Sequence, residues 1–213
     1  VTGLIGPNGA GKTTCFNVIT GLQEPTSGRV QFQGADITDK SPFKRARMGI
    51  ARTFQKLEAF GSLSARDNVL VAAEQHRAWD RSFKPKEATE EILEKTGIAD
   101  VANFMVGTLP TGTARLVELA RALATGPKVL LLDEPSSGLN EEETEDMARL
   151  LRVLVADGLA VLLVEHDMSF VMGLCEYIYV LDFGKIIATG TPKEVQQDAA
   201  VQAAYLGTAA EVA

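Results

Sequence analysis

The sequence predicts an α/β fold in which a mostly parallel sheet is flanked by helices. Apolar segments of strand length alternate along the chain with segments that carry helical spacing. Two of the apolar segments, 128–132 and Ala160–Val164, have the composition of parallel strands that are buried on both faces. A glycine-rich stretch, residues 6–11, lies between the first strand and the first helix, where an α/β unit makes its turn.

Length and composition indicate one folded domain with an inserted lobe. The chain has 213 residues, 46% hydrophobic and 23% charged, so it can bury a core without disulfides or metal. Its net charge of −7 argues against nucleic acid as a partner. Cys15 and Cys175 lie in apolar stretches, which favours two buried thiols in a reducing compartment. The apolar runs are far shorter than the ~20 residues that cross a bilayer, so we expect no membrane span.

The first part of the chain alternates short strands, turns and helices. Residues 1–5 resemble a strand that is already under way, so we expect an upstream segment in the natural protein. The spacing of Cys15, Val18, Ile19 and Leu22 predicts a helix that begins at Lys12. We then predict, in order, a strand at 29–33, a turn at 34–36, a basic helix at 42–48 and a strand at 50–54. The basic side chains here are expected on a solvated face, with a membrane-proximal contact as the minority alternative; they are Lys44, Arg45, Arg47 and Arg52.

The middle of the chain predicts an inserted helical lobe. Ser64 and Asp67 have the S-x-x-D form of a helix start. A charged helix at 86–96 follows, and a stripe of apolar residues predicts a further helix at 115–124.

From residue 126 the alternation resumes and completes the core. We predict strands at 128–132 and Ala160–Val164, helices at Glu141–Ala156, Met168–Leu174 and Pro192–Gln197, a hairpin at 177–188, and a loose tail after Gly207. The domain therefore divides into a core, 1–59 and 126–213, and a helical lobe, 60–125.

The strongest chemical signal is a phosphate-binding loop. The run Gly6, Pro7, Asn8, Gly9, Ala10, Gly11, Lys12, Thr13 matches G-x-x-x-x-G-K-[ST], and Thr14 continues the helix that follows it. The glycines let backbone N–H groups turn around a phosphate, and the helix N-terminus adds a favourable dipole. Lys12 is expected at the β- and γ-phosphates of ATP and the Thr13 hydroxyl on Mg²⁺. A chance glycine-rich turn is the alternative, and the flanking strand and helix argue against it.

A pair of acidic residues ends the apolar strand at 128–132. A carboxylate is costly at the end of a buried strand, so Asp133 is predicted to hold Mg²⁺, directly or through water. Glu134 follows at once and is predicted to polarise a water molecule that attacks the γ-phosphate. An acidic pair that caps the next helix is the alternative reading of the two carboxylates taken alone.

Two further polar residues end predicted strands. Gln55 is expected to reach Mg²⁺ or the attacking water, although a solvated glutamine would be ordinary there. His166 follows the strand Ala160–Val164 and is expected to contact the γ-phosphate, against the common alternative of a structural histidine. Residues 136–140 come shortly after Glu134, and a simple turn with a cap for the next helix would explain them.

Taken in order, these motifs resemble those of the ATP-binding cassette (ABC) ATPases over essentially the whole chain. The segments 49–55, 137–140, 164–168 and 204–207 are similar to those of the ATPases of branched-chain amino acid importers. The resemblance implies a P-loop NTPase fold of the ABC type, with a remnant of an antiparallel β subdomain. It also implies head-to-tail pairing with a second ABC ATPase subunit around two ATP molecules, and docking on transmembrane permease subunits. Gln55 becomes the Q-loop residue, His166 the switch histidine and residues 137–140 the D-loop.

The sequence departs from the family in its signature motif, which is usually Leu-Ser-Gly-Gly-Gln. The matching positions are Leu109, Pro110, Thr111, Gly112 and Thr113. Pro110 lacks the hydroxyl and the N–H donor of the usual serine, and Thr111 or Thr113 is expected to supply a hydroxyl to the partner's ATP. The family's adenine-stacking aromatic precedes the phosphate loop, so adenine contacts are expected outside this sequence.

The resemblance implies an ATP-hydrolysing subunit that powers a membrane importer, with branched-chain or similar hydrophobic amino acids as the expected cargo. Such a subunit is cytoplasmic and peripheral on the inner face of the plasma membrane. Two alternatives stay open: a non-transport ABC ATPase, and a nearly inactive regulatory subunit with a degenerate signature. A small-molecule kinase is a more distant alternative, since no acceptor site is visible.

Overall fold

The computed structural model describes residues 1–207 of the chain. Its strands, in chain order, are β1 (Thr2–Ile5), β2 (Gln31–Phe32), β3 (Ala35–Asp36), β4 (Ile50–Arg52), β5 (Val129–Asp133), β6 (Ala160–Val164), β7 (Tyr177–Asp182) and β8 (Lys185–Gly190). Its α-helices are α1 (Lys12–Thr20), α2 (Pro42–Arg47), α3 (Ala65–Arg77), α4 (Pro85–Lys95), α5 (Thr111–Ala124), α6 (Glu141–Ala156), α7 (Met168–Leu174), α8 (Pro192–Gln197) and α9 (Ala199–Gly207). Short 3₁₀ turns at Ala99–Val101 and Val106–Thr108 connect α4 to α5.

The main sheet confirms the predicted α/β fold. Its strand order is β4-β5-β6-β1-β7-β8, and all neighbouring pairs are parallel except β7 with the edge strand β8. The longest parallel pairing joins β5 to β6, from Val129 beside Ala160 to Asp133 beside Val164. The carboxyl ends of β1, β4, β5 and β6 therefore meet at one edge, which is where ligands bind in open α/β sheets.

Helices cover both faces of the sheet. One face packs against α6 and α7 through a core that includes Leu132, Leu151 and Val171. The other face packs against α1, whose Phe16 is fully buried beside Leu4 and Leu131. Because β5 and β6 are covered on both sides, their sequences are almost wholly apolar, as expected for buried parallel strands.

The inserted lobe consists of α3, α4 and α5 around a separate apolar cluster. Ser64 caps α3 as predicted, since its hydroxyl accepts a hydrogen bond from the backbone N–H of Asp67. Fully buried Asn68 fixes the chain that enters the lobe, because it bonds to both the N–H and the carbonyl of Phe60. Partly buried Leu116 on α5 packs against both this cluster and the main core.

Three local predictions need correction or extension. The strand expected at 29–33 is only β2, and the turn expected at 34–36 is instead a tight hairpin turn at Gln33 and Gly34. Both turn residues have positive φ, 50° and 78°, which suits the twist of a two-residue hairpin and frees Ala35–Asp36 to pair as β3. The helix α9 was not predicted, and the tail after Gly207 lies outside the described residues.

The solvated basic face expected near α2 is wrong for Arg45 and Arg52. Arg45 is 2% exposed, and its guanidinium donates to the carbonyls of Thr38 and Lys40 and to those of Val18 and Ile19 at the end of α1. A planar guanidinium with five N–H donors can satisfy several carbonyls at once, which a lysine cannot. Arg45 therefore ties the end of α1 to the loop before α2.

Among residues 1–207, no helix has both the length and the apolar character needed to cross a bilayer.

We expect Arg45→Met to lower the free energy of unfolding by about 3 kcal/mol or more, because it leaves several buried carbonyls without donors. Urea unfolding followed by circular dichroism measures the change. Lys44→Met is the matched control, since Lys44 is the exposed neighbour on the same helix, and it should change stability by less than about 0.5 kcal/mol. Equal losses in the two variants would contradict the role of Arg45.

Candidate functional site

The phosphate loop connects β1 to α1 in a conformation that requires glycine. Gly6 and Gly11 have φ values of 154° and 106°. A Cβ on Gly6 would lie 2.0 Å from the carbonyl oxygen of Leu181 on β7, so no side chain fits there. The N–H of Gly184 donates to the carbonyl of Ala10 at 2.9 Å, which fastens the loop to the β7–β8 hairpin. The loop is therefore held from behind by a neighbouring strand pair.

The N-terminus of α1 faces the space enclosed by this loop. Helix geometry leaves the first N–H groups of α1, those of Lys12, Thr13 and Thr14, without partners inside the helix. The Lys12 ammonium donates to the carbonyls of Gly6 and Pro7 at 2.7 and 3.0 Å. Burial lowers the pKa of Lys12, and the nearby carboxylates of Glu134 and Asp133 oppose that shift. This end of α1 thus offers clustered N–H donors and a positive charge to an anion.

One cavity of about 280 Å³ brings together residues from four separate segments of the chain. It is lined by Asn8, Gly9, Ala10, Gly11, Lys12, Thr13, Thr14, Gln55, Asp133, Glu134, Val164 and His166. Almost all of the candidate residues predicted for a nucleotide site in this chain therefore meet at the carboxyl edge of the sheet. Gly6 and Pro7 stand behind the cavity, where their carbonyls hold Lys12.

Glu134 is held at the centre of the site by two other candidate residues. Its carboxylate oxygens lie 2.8 Å from His166 Nε2 and 2.8 Å from Gln55 Nε2. Its backbone has φ of 51°, a conformation that costs about 1–3 kcal/mol outside glycine. A hydrogen bond of 2.9 Å from its N–H to the carbonyl of Val164 helps to hold that conformation. In this conformation the Glu134 side chain lines the cavity beside Asp133.

Asp133 is paired with a cation that sequence reasoning placed on the surface. Its Oδ2 accepts from Arg52 Nη2 at 2.7 Å, and both side chains are 6% exposed. Arg52 also donates to Asn17 Oδ1 at 2.6 Å and lies over the rings of Phe16 and Phe54. Arg52 is the last residue of β4, on the chain that leads to Gln55. It comes close to Asp133 only because β4 pairs with β5 in the folded sheet. Its guanidinium balances a buried carboxylate that would otherwise be costly.

Glu165 is the second site residue that sequence reasoning missed. It lies between the last residue of β6 and His166, is 3% exposed, and its carboxylate accepts from Ser136 and from the backbone of His166. The sequence signal that points to Glu165 is a charged residue that directly follows an apolar strand.

The signature-like segment lies apart from the cavity in the same chain. Pro110 occupies the N-cap position of α5, so Thr111, Gly112 and Thr113 form the first turn of that helix. A Cβ on Gly112 would lie 2.3 Å from Glu143 Oε1 on α6, so a larger residue would displace the Glu143 carboxylate. The structure does not bring these three residues to the phosphate loop of their own chain; their expected contact with a partner's ATP stays a prediction.

The residues of the cavity fit a triphosphate with a divalent cation. Convergent N–H groups and Lys12 suit phosphate oxygens, whereas the Thr13 hydroxyl, the Gln55 amide and Asp133 are oxygen donors of the kind that Mg²⁺ prefers. Within the described residues, no cluster of three or more His, Cys, Asp or Glu side chains forms a metal site by itself. That donor set suits an ion that shares its ligands with a bound phosphate.

Sequence comparisons find similarity to ABC transporter ATP-binding proteins. The family model described as "ABC transporter" matches residues 1–137, and the model described as "Branched-chain amino acid ATP-binding cassette transporter" matches residues 185–211. The chain is 40% identical to the high-affinity branched-chain amino acid transport ATP-binding protein BraF of Pseudomonas aeruginosa, over 98% of this chain and 88% of that protein. It is 38% identical to the lipopolysaccharide export system ATP-binding protein LptB of Acidithiobacillus ferridurans, over 97% and 85%.

Solved structures agree with the sequence comparisons. An ATP-binding cassette of an ABC transporter in its ADP conformation superposes with a TM-score of 0.86 at 34% identity, covering 97% of this chain and 87% of that one. A dimeric cassette in a post-hydrolysis state with ADP and Pi superposes with a TM-score of 0.77 at 26% identity, covering 90% and 84%.

We expect the buried Arg52–Asp133 pair to show strong coupling in a double-mutant cycle. Arg52→Met and Asp133→Leu should each lower the free energy of unfolding by about 3–5 kcal/mol, because each leaves one buried charge unpaired. The double variant should recover most of the loss, since it replaces the pair by apolar side chains. Urea unfolding without nucleotide and with EDTA measures the cycle.

Arg149→Met is the control for this cycle, because Arg149 forms ion pairs on the exposed surface of α6 and should contribute less than about 1 kcal/mol. Additive losses at Arg52 and Asp133 would show that the two charges do not stabilise one another.

Proposed function

The chain belongs to the ABC transporter family and is an ATPase of that family, and we propose that it powers a membrane importer of branched-chain or similar hydrophobic amino acids. The match of residues 185–211 to a model specific for branched-chain amino acid cassettes is the observation that carries this cargo. Lipopolysaccharide export is the second candidate, because similarity to LptB extends over 97% of the chain. The region that matches the branched-chain model favours import.

In the proposed site, the phosphate loop holds the phosphates of ATP. The N–H groups at the start of α1 donate to phosphate oxygens, and Lys12 exchanges its carbonyl partners Gly6 and Pro7 for a phosphate. Exchange is favourable because a buried ammonium gains more from a full negative charge than from carbonyl dipoles. Loop residues Asn8, Gly9, Ala10 and Gly11 and the adjacent Thr14 complete the cradle.

The proposed metal ligands are Thr13, Gln55 and Asp133. When bound, Mg²⁺ neutralises charge that develops on the transferred phosphoryl group. Arg52 holds Asp133 in place and leaves one of its carboxylate oxygens for the cavity, since it contacts only Oδ2, at 2.7 Å. Gln55 follows β4 and Asp133 ends the neighbouring parallel strand β5. The two strands therefore present Gln55 and Asp133 at the same edge of the sheet.

Glu134 and His166 are the proposed catalytic pair. Glu134 is an acceptor beside the phosphate loop, and it can orient a water molecule and draw its proton away during attack on the γ-phosphate. His166 holds that carboxylate by its Nε2, 2.8 Å from Glu134, and its proposed second role is to contact the γ-phosphate. Gln55 holds the other oxygen. The strained backbone of Glu134 supports this role, because such strain clusters at functional sites.

A second ABC ATPase subunit is the proposed partner that completes the site. The first turn of α5, with Thr111, Gly112 and Thr113, carries free N–H groups that suit the γ-phosphate of a nucleotide on the partner. Residues 137–140 lie beside this turn, since Thr111 Cγ2 would be 3.3 Å from a Cβ on Gly138. A similar cassette is dimeric with ADP and Pi, which supports pairing of this kind. We propose that ATP binding closes the dimer and hydrolysis reopens it.

Transmembrane permease subunits are the other proposed partners, with the chain peripheral on the inner face of the plasma membrane. A groove of about 330 Å³ between the core and the lobe offers a docking surface. Leu22 and Phe54 line it and are 55% and 40% exposed. Phe54 directly precedes Gln55, so a permease segment that contacts Phe54 in this groove would touch the chain that leads into the site. Arg115 on α5 donates to the carbonyls of both residues and fixes that chain to the lobe.

We expect Glu134→Gln to bind ATP with an affinity close to the parent and to hydrolyse it at least about a hundredfold more slowly, because the amide lacks the charge that activates water. Equilibrium binding of ATP and phosphate release measure the two quantities. Glu142→Gln, at an exposed position in the first turn of α6, is the matched control and should keep parental kcat. Parental hydrolysis in Glu134→Gln would exclude Glu134 as the base.

The cargo is tested in proteoliposomes that contain this chain assembled with permease and binding-protein subunits from the same organism. We expect leucine, isoleucine or valine with the binding protein to stimulate ATP hydrolysis and to accumulate inside the lipid compartment. Lipopolysaccharide is the matched substrate for the second candidate. Stimulation by lipopolysaccharide alone would replace import by export.

A further inference from the structure

Glu165 is a buried carboxylate that bonds to both of the loops that carry the proposed catalytic pair. It follows β6 directly, and only 3% of its surface is exposed. Its Oε1 accepts from the N–H and the hydroxyl of Ser136 at 2.8 and 2.6 Å. Its Oε2 accepts from the N–H of His166 at 2.9 Å and, more weakly, from that of Asp167 at 3.4 Å. The four donors divide evenly between the two oxygens.

The donors make this carboxylate different from the other buried charges of the site. Asp133 is balanced by the cation Arg52, whereas the four donors to Glu165 are uncharged N–H and O–H groups. A buried carboxylate is costly unless its hydrogen bonds are complete. The loops that carry Ser136 and His166 must therefore keep their donors directed at Glu165. This requirement fixes the conformation of both loops.

The two loops carry the two groups of the proposed catalytic pair. Ser136 is two residues after Glu134, and the turn between them is closed by a bond from the N–H of Ser137 to the carbonyl of Glu134 at 3.2 Å. His166 is the next residue after Glu165. Across the gap, His166 Nε2 and Glu134 Oε1 are 2.8 Å apart. The Glu165 side chain thus connects the turn that follows Glu134 to the backbone of His166.

We propose that Glu165 is a positioning residue that keeps His166 in register with Glu134, and that it acts through its hydrogen bonds to Ser136 and to the backbone of His166. This inference rests on the roles proposed above for Glu134 and His166. Glu165 itself faces away from the cavity, whose lining includes Glu134 and His166 but not Glu165. Its removal should therefore affect turnover more than the binding of ATP.

The test compares Glu165→Gln with the parent as the full chain. The amide keeps one acceptor oxygen, but its NH₂ group faces N–H donors on one of the two loops, so that loop loses its acceptor. We expect kcat for ATP hydrolysis to fall at least about tenfold while KM for ATP changes less than about threefold. Ser136→Ala removes one donor only and should lower kcat several-fold without unfolding the protein.

Glu194→Gln is the matched control. The Glu194 carboxylate also accepts from a backbone N–H and a hydroxyl, both of Thr191, but it caps α8 on the exposed surface. We expect this variant to keep parental kcat and KM. A loss of turnover in Glu165→Gln alone is then specific to the position and not to the removal of a loop-capping carboxylate.

A spectroscopic readout separates positioning from a purely structural role. The sequence has two histidines, so selective labelling of the imidazole carbons gives two NMR signals, and His76→Gln identifies the signal of His166. In Glu165→Gln the His166 signal should move from its parental position, whereas the His76 signal and both signals of Glu194→Gln should stay in place. The spectra are recorded without nucleotide well below the unfolding temperature.

Several results would overturn the inference. One is parental kcat in Glu165→Gln; another is lower thermal stability with parental kcat and an unmoved His166 signal, which indicates a structural tie only. A lower kcat with an unmoved His166 signal shows that Glu165 acts by another route. If Glu165→Gln does not fold, Ser136→Ala decides, and parental kcat in that variant rejects the inference. Parental kcat in Glu134→Gln and His166→Ala would instead reject the proposed catalytic pair itself.

Discussion

Parallel pairing in the main sheet is the constraint on which the site depends. Parallel strands end at the same edge, so β1, β4, β5 and β6 deliver the phosphate loop, Gln55, Asp133 and His166 to one place. The pairing of Asp133 with Val164 fixes the register between the acidic pair and the histidine. A slip of one residue would turn the side chains of β5 or β6 to the opposite face of the sheet and separate the groups.

Buried charges then refine what the sheet brings together. Arg45 joins α1 to α2 through backbone carbonyls, Arg52 joins β4 to β5 through Asp133, and Glu165 joins the ends of β5 and β6 through Ser136 and His166. Each connects elements that lie far apart in the sequence. Removing one of these charges alone would leave its buried partners without a counterpart, so it would lower stability and loosen the geometry that the charge defines. The three charges therefore contribute positional accuracy to a site that needs it.

The lobe connects this site to the outside of the chain. Its helix α5 begins at the signature-like turn beside residues 138–143 and reaches the chain at Phe54 and Gln55 through Arg115. Burial raises the pKa of Glu118 on the same helix, although a hydrogen bond from the backbone of Glu58 and the charge of Arg115 oppose the shift. The same helix thus contacts the edge of the groove proposed for docking, the chain that leads into the phosphate-loop cavity, and the surface proposed to meet a partner's nucleotide.

The sequence by itself determined the fold class and most helix and strand positions, because these depend on periodicity along the chain. Short spacings also selected the candidate site residues, which are the phosphate loop, Asp133, Glu134, Gln55 and His166. The tertiary structure alone decided that Arg45 and Arg52 are buried, that Gln55 and His166 both contact the Glu134 carboxylate, and that Glu165 accepts from the backbone of His166. Residues 52 and 133 become neighbours only when β4 pairs with β5, and residues 136 and 165 only when β5 pairs with β6. A local pattern records which side chains alternate or repeat, but the partner of a buried charge is set by strand order and register, which arise from the packing of the whole domain.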